Sequence, residues 1–391
     1  MKQGWEIKKL GDIAKFYRGL TYSKGDEVPS STNMVLRSNN VDLETNALVY
    51  DDMKCLREDL LVDEDKKVKA NSILICMSNG SKQHIGKVAY IQDDIDYAFG
   101  GFMGLIVPTK DIEGKYLYYS CVSHHFKHFL AGIGNGIGIT NLRFSDLASY
   151  CFPVPPIAEQ EKIVAELDCL SGIIEKKKQQ LKELDNLAQS IFYEMFGDPV
   201  ENDKGWEKKR LAEIGKVITG NTPSTKDESN YSSADYCFVK PSDIAKDSIS
   251  YISNTEFYVS EKAYINSRQL PKGSVLTTCI GIIGKVGILQ KDATCNQQIN
   301  AIIPNKDIDA KFLAHVLFMI RDVLTDVANA PIVPIINKKE FSSVSIPVPL
   351  FSLQQDFASK IQSIEKQKEL IAQSIKETET LFNSRMDYYF N

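Results

Sequence analysis

The sequence lacks the features that mark membrane, secreted and zinc-binding proteins. No run of about 18 apolar residues occurs in its 391 residues, and the N-terminus is polar, so we expect neither a membrane span nor a signal peptide. The eight cysteines never approach closely enough for a Cys-x-x-Cys pair. They indicate reduced thiols in a cytoplasmic protein without a zinc site.

An excess of positive charge is also missing. The net charge is −5, whereas a simple nucleic-acid binder usually carries more Lys and Arg than Asp and Glu. Residues 1–150 hold 18 Lys/Arg against 19 Asp/Glu, and residues 199–350 hold 18 against 17. Most of the acidic excess therefore lies in the two remaining stretches, and a local basic face stays possible in the larger ones.

Complete catalytic motifs are absent as well. Residues 80–88 resemble a phosphate-binding loop, but they hold one residue too many and Val88 stands where a Ser or Thr would bind magnesium. Residues 132–138 are rich in glycine without the strand-to-helix context of a dinucleotide site. No Asn-Pro-Pro-aromatic tetrapeptide of an adenine methyltransferase occurs. We therefore expect a protein that is not an enzyme.

The feature that is present is a duplicated heptad pattern. Apolar residues recur at alternating steps of four and three over more than four heptads, which is typical of a coiled-coil seam. The first seam comprises Ile163, Leu167, Leu170, Ile174, Lys177, Leu181, Leu184, Ala188, Ile191 and Met195. The second comprises Phe357, Ile361, Ile364, Lys368, Ile371, Ile375, Thr378, Phe382, Arg385 and Tyr389. Lys177 and Lys368 are the positions we expect to fix the register.

The remainder of the chain is duplicated with the helices. Gly-Trp-Glu opens each copy at residues 4 and 205, and Ile-Gly-Lys-Val recurs at 85–88 and 283–286. Residues 25–70 and 227–270 share little. Copies that share a framework and differ in their loops suggest one scaffold that presents two different surfaces.

Each copy reads as a mixed α/β domain followed by a long helix. We predict strands at 35–37, 72–76, 87–91 and 103–107, a strand–turn–strand at 280–289, and helices at 116–129 and 311–328. Gly197 and Pro199 form a helix stop, and Ser352 with Gln355 fits a capping box. Each long helix could reach about 57 Å. The two either pair antiparallel or pack separately on their own domains.

Polar side chains near the shared anchors form a candidate DNA-binding set. Arg and Lys reach phosphates and guanine edges, and Asn and Gln read adenine bidentately. The set comprises Arg37, Ser38, Asn39, Lys82, Gln83, Lys87, Asn135 and Arg143 in the first copy. In the second copy it comprises Lys240, Ser242, Arg268, Lys285, Gln297, Gln298, Asn300, Asn337 and Lys338.

With these motifs in view, the chain resembles the specificity subunit of type I restriction-modification systems over essentially its whole length. The resemblance rests on Gly-Trp-Glu-x-Lys-x-Leu at 4–10 and 205–211, the Gly-Lys-Val turns, and Phe-Pro-Val-Pro-Pro-Ile-Ala-Glu-Gln at 152–160. The second copy departs from the last motif, with Leu350 for the final proline and Leu353 for the glutamate, while Gln354 is retained.

The resemblance implies an α+β protein with an internal pseudo-twofold repeat. Target recognition domains would occupy 1–152 and 199–346, and helical spacers 153–198 and 347–391 would form the antiparallel coiled coil. Each recognition domain would read one half of a bipartite site in double-stranded DNA, and the helices would set the spacing and dock methyltransferase subunits.

The same resemblance implies that catalysis belongs to partner subunits. Methyltransferase subunits would bring S-adenosylmethionine and flip the target adenine, and restriction subunits that can join would cleave with ATP and Mg. This chain would itself be non-catalytic within an adenine-N6 methyltransferase and type I endonuclease. Two alternatives stay open: a coiled-coil adaptor without a DNA role, and the recognition portion of a fused methyltransferase–endonuclease. For the latter, 391 residues leave no room for catalytic domains.

Overall fold

The computed structural model describes residues 4–133, 141–328 and 333–391, and the chain divides into two compact units. Unit 1 comprises Met1–Lys176 together with Ser374–Asn391, and unit 2 comprises Lys177–Gln373. Each unit therefore contains one globular segment and one end of each long helix.

Unit 1 is built on a four-stranded antiparallel sheet of order β2-β9-β6-β7, a small mixed sheet β3-β5-β4-β8, and the ribbon β1-β10. Its strands are β1 (Glu6–Lys9), β2 (Ala14–Arg18), β3 (Glu27–Val28), β4 (Met34–Leu36), β5 (Lys54–Leu56), β6 (Ser72–Cys76), β7 (Val88–Ile91), β8 (Ala98–Phe99), β9 (Met103–Pro108) and β10 (Cys151–Val154). Its helices are α1 (Leu10–Ile13), α2 (Gly114–Val122), α3 (His124–Ile133), α4 (Phe144–Ala148) and the first half of α5 (Ile157–Phe196).

Unit 2 repeats this plan, with a main sheet β12-β19-β16-β17-β14, a small sheet β15-β13-β18 and the ribbon β11-β20. Its strands are β11 (Lys208–Arg210), β12 (Gly215–Thr219), β13 (Tyr236–Val239), β14 (Ser250–Ile252), β15 (Phe257–Val259), β16 (Val275–Thr278), β17 (Val286–Leu289), β18 (Ala293–Cys295), β19 (Ile299–Pro304) and β20 (Ser345–Pro347). Its helices are α6 (Leu211–Ile214), α7 (Glu261–Ile265), α8 (Ala310–Met319), α9 (Arg321–Val327), α10 (Lys338–Ser343) and the first part of α11 (Phe351–Phe390).

The main sheet of each unit is buried on both faces. Along β6, Ile73 and Ile75 pack with helices α2 and α3, while Leu74 and Cys76 pack towards the small sheet. Alternate side chains of a strand point to opposite faces, so one short apolar strand serves two cores. In unit 2, the same division separates the cores on the two sides of β16.

The long helices pack against each other within each unit through the predicted seam. All the seam residues of both helices are buried or half-buried. In unit 1 the start of α5, at Leu167, packs in one core with Met386 and Phe390 at the end of α11. In unit 2 the end of α5 meets the start of α11, where the Phe192 and Phe357 ring centroids lie 5.6 Å apart. This confirms the antiparallel pairing.

A glutamine in the first turn of each long helix ties that helix to its globular segment. Gln160 donates to the carbonyl oxygens of Asp111 (3.2 Å) and Pro155 (2.8 Å), and its Oε1 accepts from the Glu113 N–H at 2.9 Å. Gln354 makes the same three bonds with its own segment. Both glutamines are fully buried, which explains why the second copy of the motif retains this residue.

Two predicted helices are each divided in the structure. The stretch 116–129 forms α2 and α3, because Ser123 takes an extended conformation and its hydroxyl accepts from the Phe126 N–H to begin a new helix. The stretch 311–328 likewise forms α8 and α9 about Ile320, whose ψ of 17° leaves the helical range. The predicted strands at 35–37, 72–76, 87–91 and 103–107 are confirmed within one residue at each end.

Two further predictions of local structure were wrong. The stretch 280–289 contains only the second strand of its hairpin, since β17 pairs with β16 and the turn between them uses Gly281 and Gly284 at positive φ. The proposed capping box also fails, because α11 begins at Phe351 and Ser352 already lies inside it. The predicted stop after α5 is confirmed, with Gly197 at φ 78°.

Candidate nucleic-acid interface

Backbone hydrogen bonds fix the tight turn between β8 and β9 in unit 1. The Gly100 N–H donates to Leu36 O at 2.9 Å, and the Met103 N–H donates back to Gly100 O at 2.8 Å. Between them, the carbonyl of Phe102 accepts from Met77 N–H at 2.9 Å. We call residues 99–103 the first apical turn.

Unit 2 contains the same turn with different residues. The Asn296 N–H donates to Val239 O at 3.1 Å, the Ile299 N–H donates to Asn296 O at 3.3 Å, and Gln298 O accepts from the Cys279 N–H at 2.8 Å. These bonds match those of unit 1 one by one. Gln298 therefore stands where unit 1 has Phe102, and residues 295–299 form the second apical turn.

The first apical turn projects an apolar ring among cationic side chains. The Phe102 side chain is 72% exposed and lies between two cavities of about 370 and 540 Å³. Arg18 lines both cavities, Arg143 lines the smaller one and Arg37 the larger one. A concave surface of this size and charge can accept a negatively charged polymer.

Three of the predicted residues are brought together beside this turn. Arg37 Nη2 donates to the backbone oxygen of Asp52 at 2.9 Å and pairs with its carboxylate at 3.1 Å. Asn39 Nδ2 lies 3.3 Å from the same carboxylate, and the Ser38 hydroxyl accepts from Asn79 at 2.8 Å. The side chains that line the larger cavity are thus preordered by local contacts.

The second apical turn presents amides in place of the ring. Gln297 is exposed, and its Oε1 accepts from the Thr222 hydroxyl at 2.6 Å. Gln298 Oε1 accepts from Asn296 Nδ2 at 2.9 Å, which orients its own amide. Nearby, Lys240 Nζ lies 3.0 Å from the centroid of the Phe257 ring, a close cation–π contact.

Two lysines of the predicted set have structural roles. Lys87 is only 8% exposed, and its Nζ donates to Val41 O at 2.6 Å; burial lowers the pKa of this ammonium. Lys285 Nζ donates to the carbonyls of Pro241 and Ile244, each at 2.9 Å. Both lysines fasten a loop to the main sheet, so we do not include them in the surface proposed below.

The other predicted residues occupy varied positions. Asn300 is fully buried and bonds Thr219 and Ile336 O, so it belongs to the framework. The exposed Arg268 donates through Nη1 to two backbone carbonyls, and Asn337 caps α10. Gln83, Arg143, Ser242 and Lys338 are exposed. Asn135 lies outside the described residues, as does the side chain of Lys82.

Sequence reasoning missed Arg18 and Phe102. Aligning the repeats at Val107-Pro108 and Ile303-Pro304 pairs Phe102 with Gln298, so the position could have been found from the residue already chosen in the second copy. Among residues 4–133, 141–328 and 333–391, no group of three or more His, Cys, Asp or Glu side chains could hold a metal ion. No helix in the same ranges is long and apolar enough to cross a membrane.

Comparison with known proteins gives consistent matches over both units. The family model for the type I restriction modification DNA specificity domain matches residues 2–186 and again 203–380. The HindI specificity subunit of Haemophilus influenzae is 29% identical over 437 residues, which covers 92% of this chain and 93% of that protein. The EcoKI specificity subunit of Escherichia coli K12 is 24% identical over 331 residues, covering 80% of this chain and 69% of that one.

Solved structures match the fold of the whole chain. The crystal structure of the type I S subunit from M. genitalium aligns with a TM-score of 0.57 at 13% identity, covering 99% of this chain and 96% of that one. A chain from a structure on complex assembly and conformational transition of the type I R-M system aligns with a TM-score of 0.61 at 18% identity, covering 99% and 97%. At these identities the likeness concerns the fold alone.

Proposed function

Because the chain belongs to the family of type I restriction-modification DNA specificity subunits, we propose that it selects the DNA sequence on which its complex acts. Each unit reads one half of a bipartite site in double-stranded DNA. The chain contributes recognition, and the chemistry takes place on partner subunits.

One observation carries this proposal. Two units with matching backbone hydrogen bonds present different side chains at the same apical position, Phe102 in one and Gln298 in the other. A duplicated scaffold that differs at its surface suits the recognition of two unlike half-sites. A simple adaptor would have no need for a preordered polar surface in each unit, so the side-chain contacts around both turns favour recognition over the adaptor alternative.

The proposed surfaces retain most of the predicted DNA-binding residues. In unit 1 we propose Arg37, Ser38, Asn39 and Arg143 together with the newly found Arg18 and Phe102. In unit 2 we propose Lys240, Ser242, Arg268, Gln297, Gln298, Asn337 and Lys338. Arginine and lysine supply contacts to phosphates and guanine, and the amides supply contacts to adenine. For Gln83, Lys82 and Asn135, contact with DNA stays a prediction.

The helix pair and the partners complete the proposal. Segments 153–198 and 347–391 act as spacers between the target recognition domains 1–152 and 199–346, and α5 and α11 are each 40 residues long. Methyltransferase subunits, with restriction subunits where these join, bind S-adenosylmethionine, ATP and Mg. The complex methylates adenine N6, and this chain holds no cofactor. Burial raises the pKa of the Cys121 and Cys295 thiols to about 12, so both stay protonated and poorly nucleophilic at neutral pH.

Methylation mapping tests the proposal in a host that lacks adenine methylation. The chain is expressed with the methyltransferase subunit encoded beside it, and N6-methyladenine is mapped across the host DNA. We expect a single bipartite motif that disappears when this chain is omitted. The methyltransferase subunit expressed alone is the matched control.

A second arm assigns each half-site to a unit. Residues 208–347 are exchanged for the corresponding segment of the HindI specificity subunit, and the resulting motif should keep one half-site and replace the other. An active complex that methylates DNA without a bipartite motif would refute the proposed function. Binding of the methyltransferase without any DNA preference would instead support the adaptor.

A further inference from the structure

We propose that Phe102 is a specificity-determining residue of unit 1, and that its ring recognises the C5-methyl group of a thymine in the major groove. The inference rests on the proposed function, since it requires that unit 1 binds duplex DNA. It assigns to one side chain a role that no family motif marks.

The backbone that carries Phe102 is fixed on both sides. Its carbonyl accepts N–H bonds from Met77 at 2.9 Å and Ser78 at 3.2 Å, and the neighbouring Met103 N–H is bonded to Gly100 O. The flanking Gly100 and Gly101 carry no side chains that could cover the ring. The backbone that presents the ring is therefore ordered before any ligand arrives, as that of a recognition element should be.

The chemistry of the ring selects its partner. A phenylalanine that is 72% exposed leaves apolar surface in water, and burial against another apolar group stabilises it. The ring offers no hydrogen-bond donor or acceptor, so it cannot recognise the polar edges of guanine, cytosine or adenine. In the major groove, the apolar group on a base edge is the thymine methyl, which phenylalanine contacts in protein–DNA complexes.

The surroundings of the ring suit DNA rather than an apolar protein partner. Arg18 and Arg143 are both exposed and line the cavities beside the ring. The larger cavity is also lined by Lys24 and by Glu27, whose carboxylate pairs with Lys54 at 2.9 Å. An apolar side chain beside several cationic side chains fits a base edge flanked by phosphates.

Unit 2 supports the assignment by its contrast. The same apical position carries Gln298, whose amide is oriented by Asn296 and can donate and accept with adenine. One backbone position therefore presents a methyl-recognising ring in unit 1 and an adenine-recognising amide in unit 2. A position that changes chemistry while its backbone contacts are kept is where half-site preference would be set.

The test uses thymine-to-uracil substitution, which removes the methyl group alone. The complex with its methyltransferase is bound to its mapped site, and each thymine is replaced by deoxyuridine in turn. We expect the wild type to lose about fourfold in affinity at one thymine of one half-site. Phe102→Ala should bind the unmodified site at least about tenfold more weakly than the wild type does. The variant should bind the uracil-containing site as tightly as it binds the unmodified site.

Two matched variants make the result specific. Leu61→Ala removes another exposed apolar side chain of unit 1, 91% exposed, and should keep the full uracil sensitivity. Gln298→Ala should weaken discrimination in the other half-site and leave the uracil effect unchanged. Equal affinity of the wild type for all uracil-containing sites would overturn the inference while DNA binding itself stands. A half-site without thymine, or uracil sensitivity that persists in Phe102→Ala, would also overturn it.

A wedge that separates base pairs is the competing role for an exposed ring, and the same complex distinguishes it. Wedge insertion would make binding tighter when a mismatch weakens stacking next to the contacted step. The methyl contact predicts no such gain. Tighter binding to mismatched sites, together with indifference to uracil, would replace the proposal by the wedge. Loss of preference for any sequence would instead count against the proposed function.

Discussion

The two units repeat one fold, although their main sheets differ by one strand, and they join α5 to α11 through different polar contacts. In unit 1, the Arg385 guanidinium donates to both oxygens of the Glu166 carboxylate, and the Tyr389 hydroxyl donates to it at 2.5 Å. In unit 2, Lys368 Nζ reaches Asp185 at 2.8 Å and Glu365 at 3.0 Å. The framework inherited from the duplication has been preserved, while the charges that join α5 to α11 have diverged.

As a result, the charged groups between α5 and α11 differ between the two units. The Arg385 hydrogen bond lowers the pKa of Glu166, so this carboxylate stays ionised. Burial alone would lower the pKa of Lys368, but the carboxylates of Asp185 and Glu365 outweigh it and raise that pKa. The seam residues Lys368 and Arg385 are therefore both paired with a carboxylate of α5, Asp185 in unit 2 and Glu166 in unit 1.

The largest expected effect tests what the units share. Gln160→Ala and Gln354→Ala each remove three hydrogen bonds at a fully buried position and leave backbone groups unpaired. We expect each to lower the free energy of unfolding of its own unit by about 3–5 kcal/mol. Hydrogen exchange of β6 and of β16 reports the two units separately.

Exposed glutamines on the same helices provide the control. Gln180→Ala and Gln362→Ala should change the free energy of unfolding of either unit by less than about 0.5 kcal/mol. A loss that differs by more than a factor of two between Gln160→Ala and Gln354→Ala would break the equivalence of the two frameworks. A loss in both units from one variant would show that the units do not unfold separately.

A smaller effect tests what the units do not share. Lys368→Met leaves the carboxylates of Asp185 and Glu365 without their cation at a site where Lys368 is 16% exposed. We expect unit 2 to lose about 3 kcal/mol and unit 1 to be unchanged, again by hydrogen exchange of β6 and β16. Lys366→Met, at an exposed position on the same helix, is the matched control and should be near neutral. Equal losses from the two variants would refute the role of the ion pair.

The helix seam could be predicted from the sequence, whereas its pairing residues could not. Heptad spacing is a local pattern, and every predicted seam residue is buried or half-buried. The partner of Lys368 lies 183 residues away in the chain, and only the folded register brings Asp185 to it. Local pattern thus determined which face of the helix is buried, but not which charges meet there.

The sequence could predict which residue types form the candidate site, but not which of those residues are exposed. Lys87 was chosen for its charge, but a buried ammonium that fastens a loop cannot be distinguished by sequence from an exposed one. Phe102 was missed for the opposite reason, because an apolar residue beside two glycines reads as part of the core. Burial decides both cases, and burial depends on contacts such as Val41 with Lys87 that lie far apart in the sequence.

The smallest expected effect concerns His315 of unit 2, in comparison with Tyr119 of unit 1. Tyr119 of unit 1 donates to Asp168 at 2.5 Å, whereas His315 of unit 2 is buried and its Nδ1 lies 2.7 Å from Lys311 O. Burial lowers the pKa of His315 from 6.5 to about 4. Because the folded pKa is below the unfolded one, the unfolded chain binds the proton first as the pH falls. The contribution of neutral His315 to the stability of unit 2 is complete above the unfolded pKa. It is lost as the pH falls from 6.5 towards about 4.

At pH 5, protonation of His315 in the unfolded chain should lower the free energy of unfolding of unit 2 by about 2 kcal/mol relative to pH 7.5. His315→Phe removes the titrating group, so this part of the pH dependence should disappear, whatever the variant costs at pH 7.5. Hydrogen exchange of β16 at the two pH values measures it, and β6 in the same sample provides the reference for unit 1. The groups facing His315 include Lys368, whose positive charge also opposes protonation, so Lys368→Met should reduce the effect. An unchanged pH dependence in His315→Phe would show that the acid sensitivity of unit 2 does not come from His315.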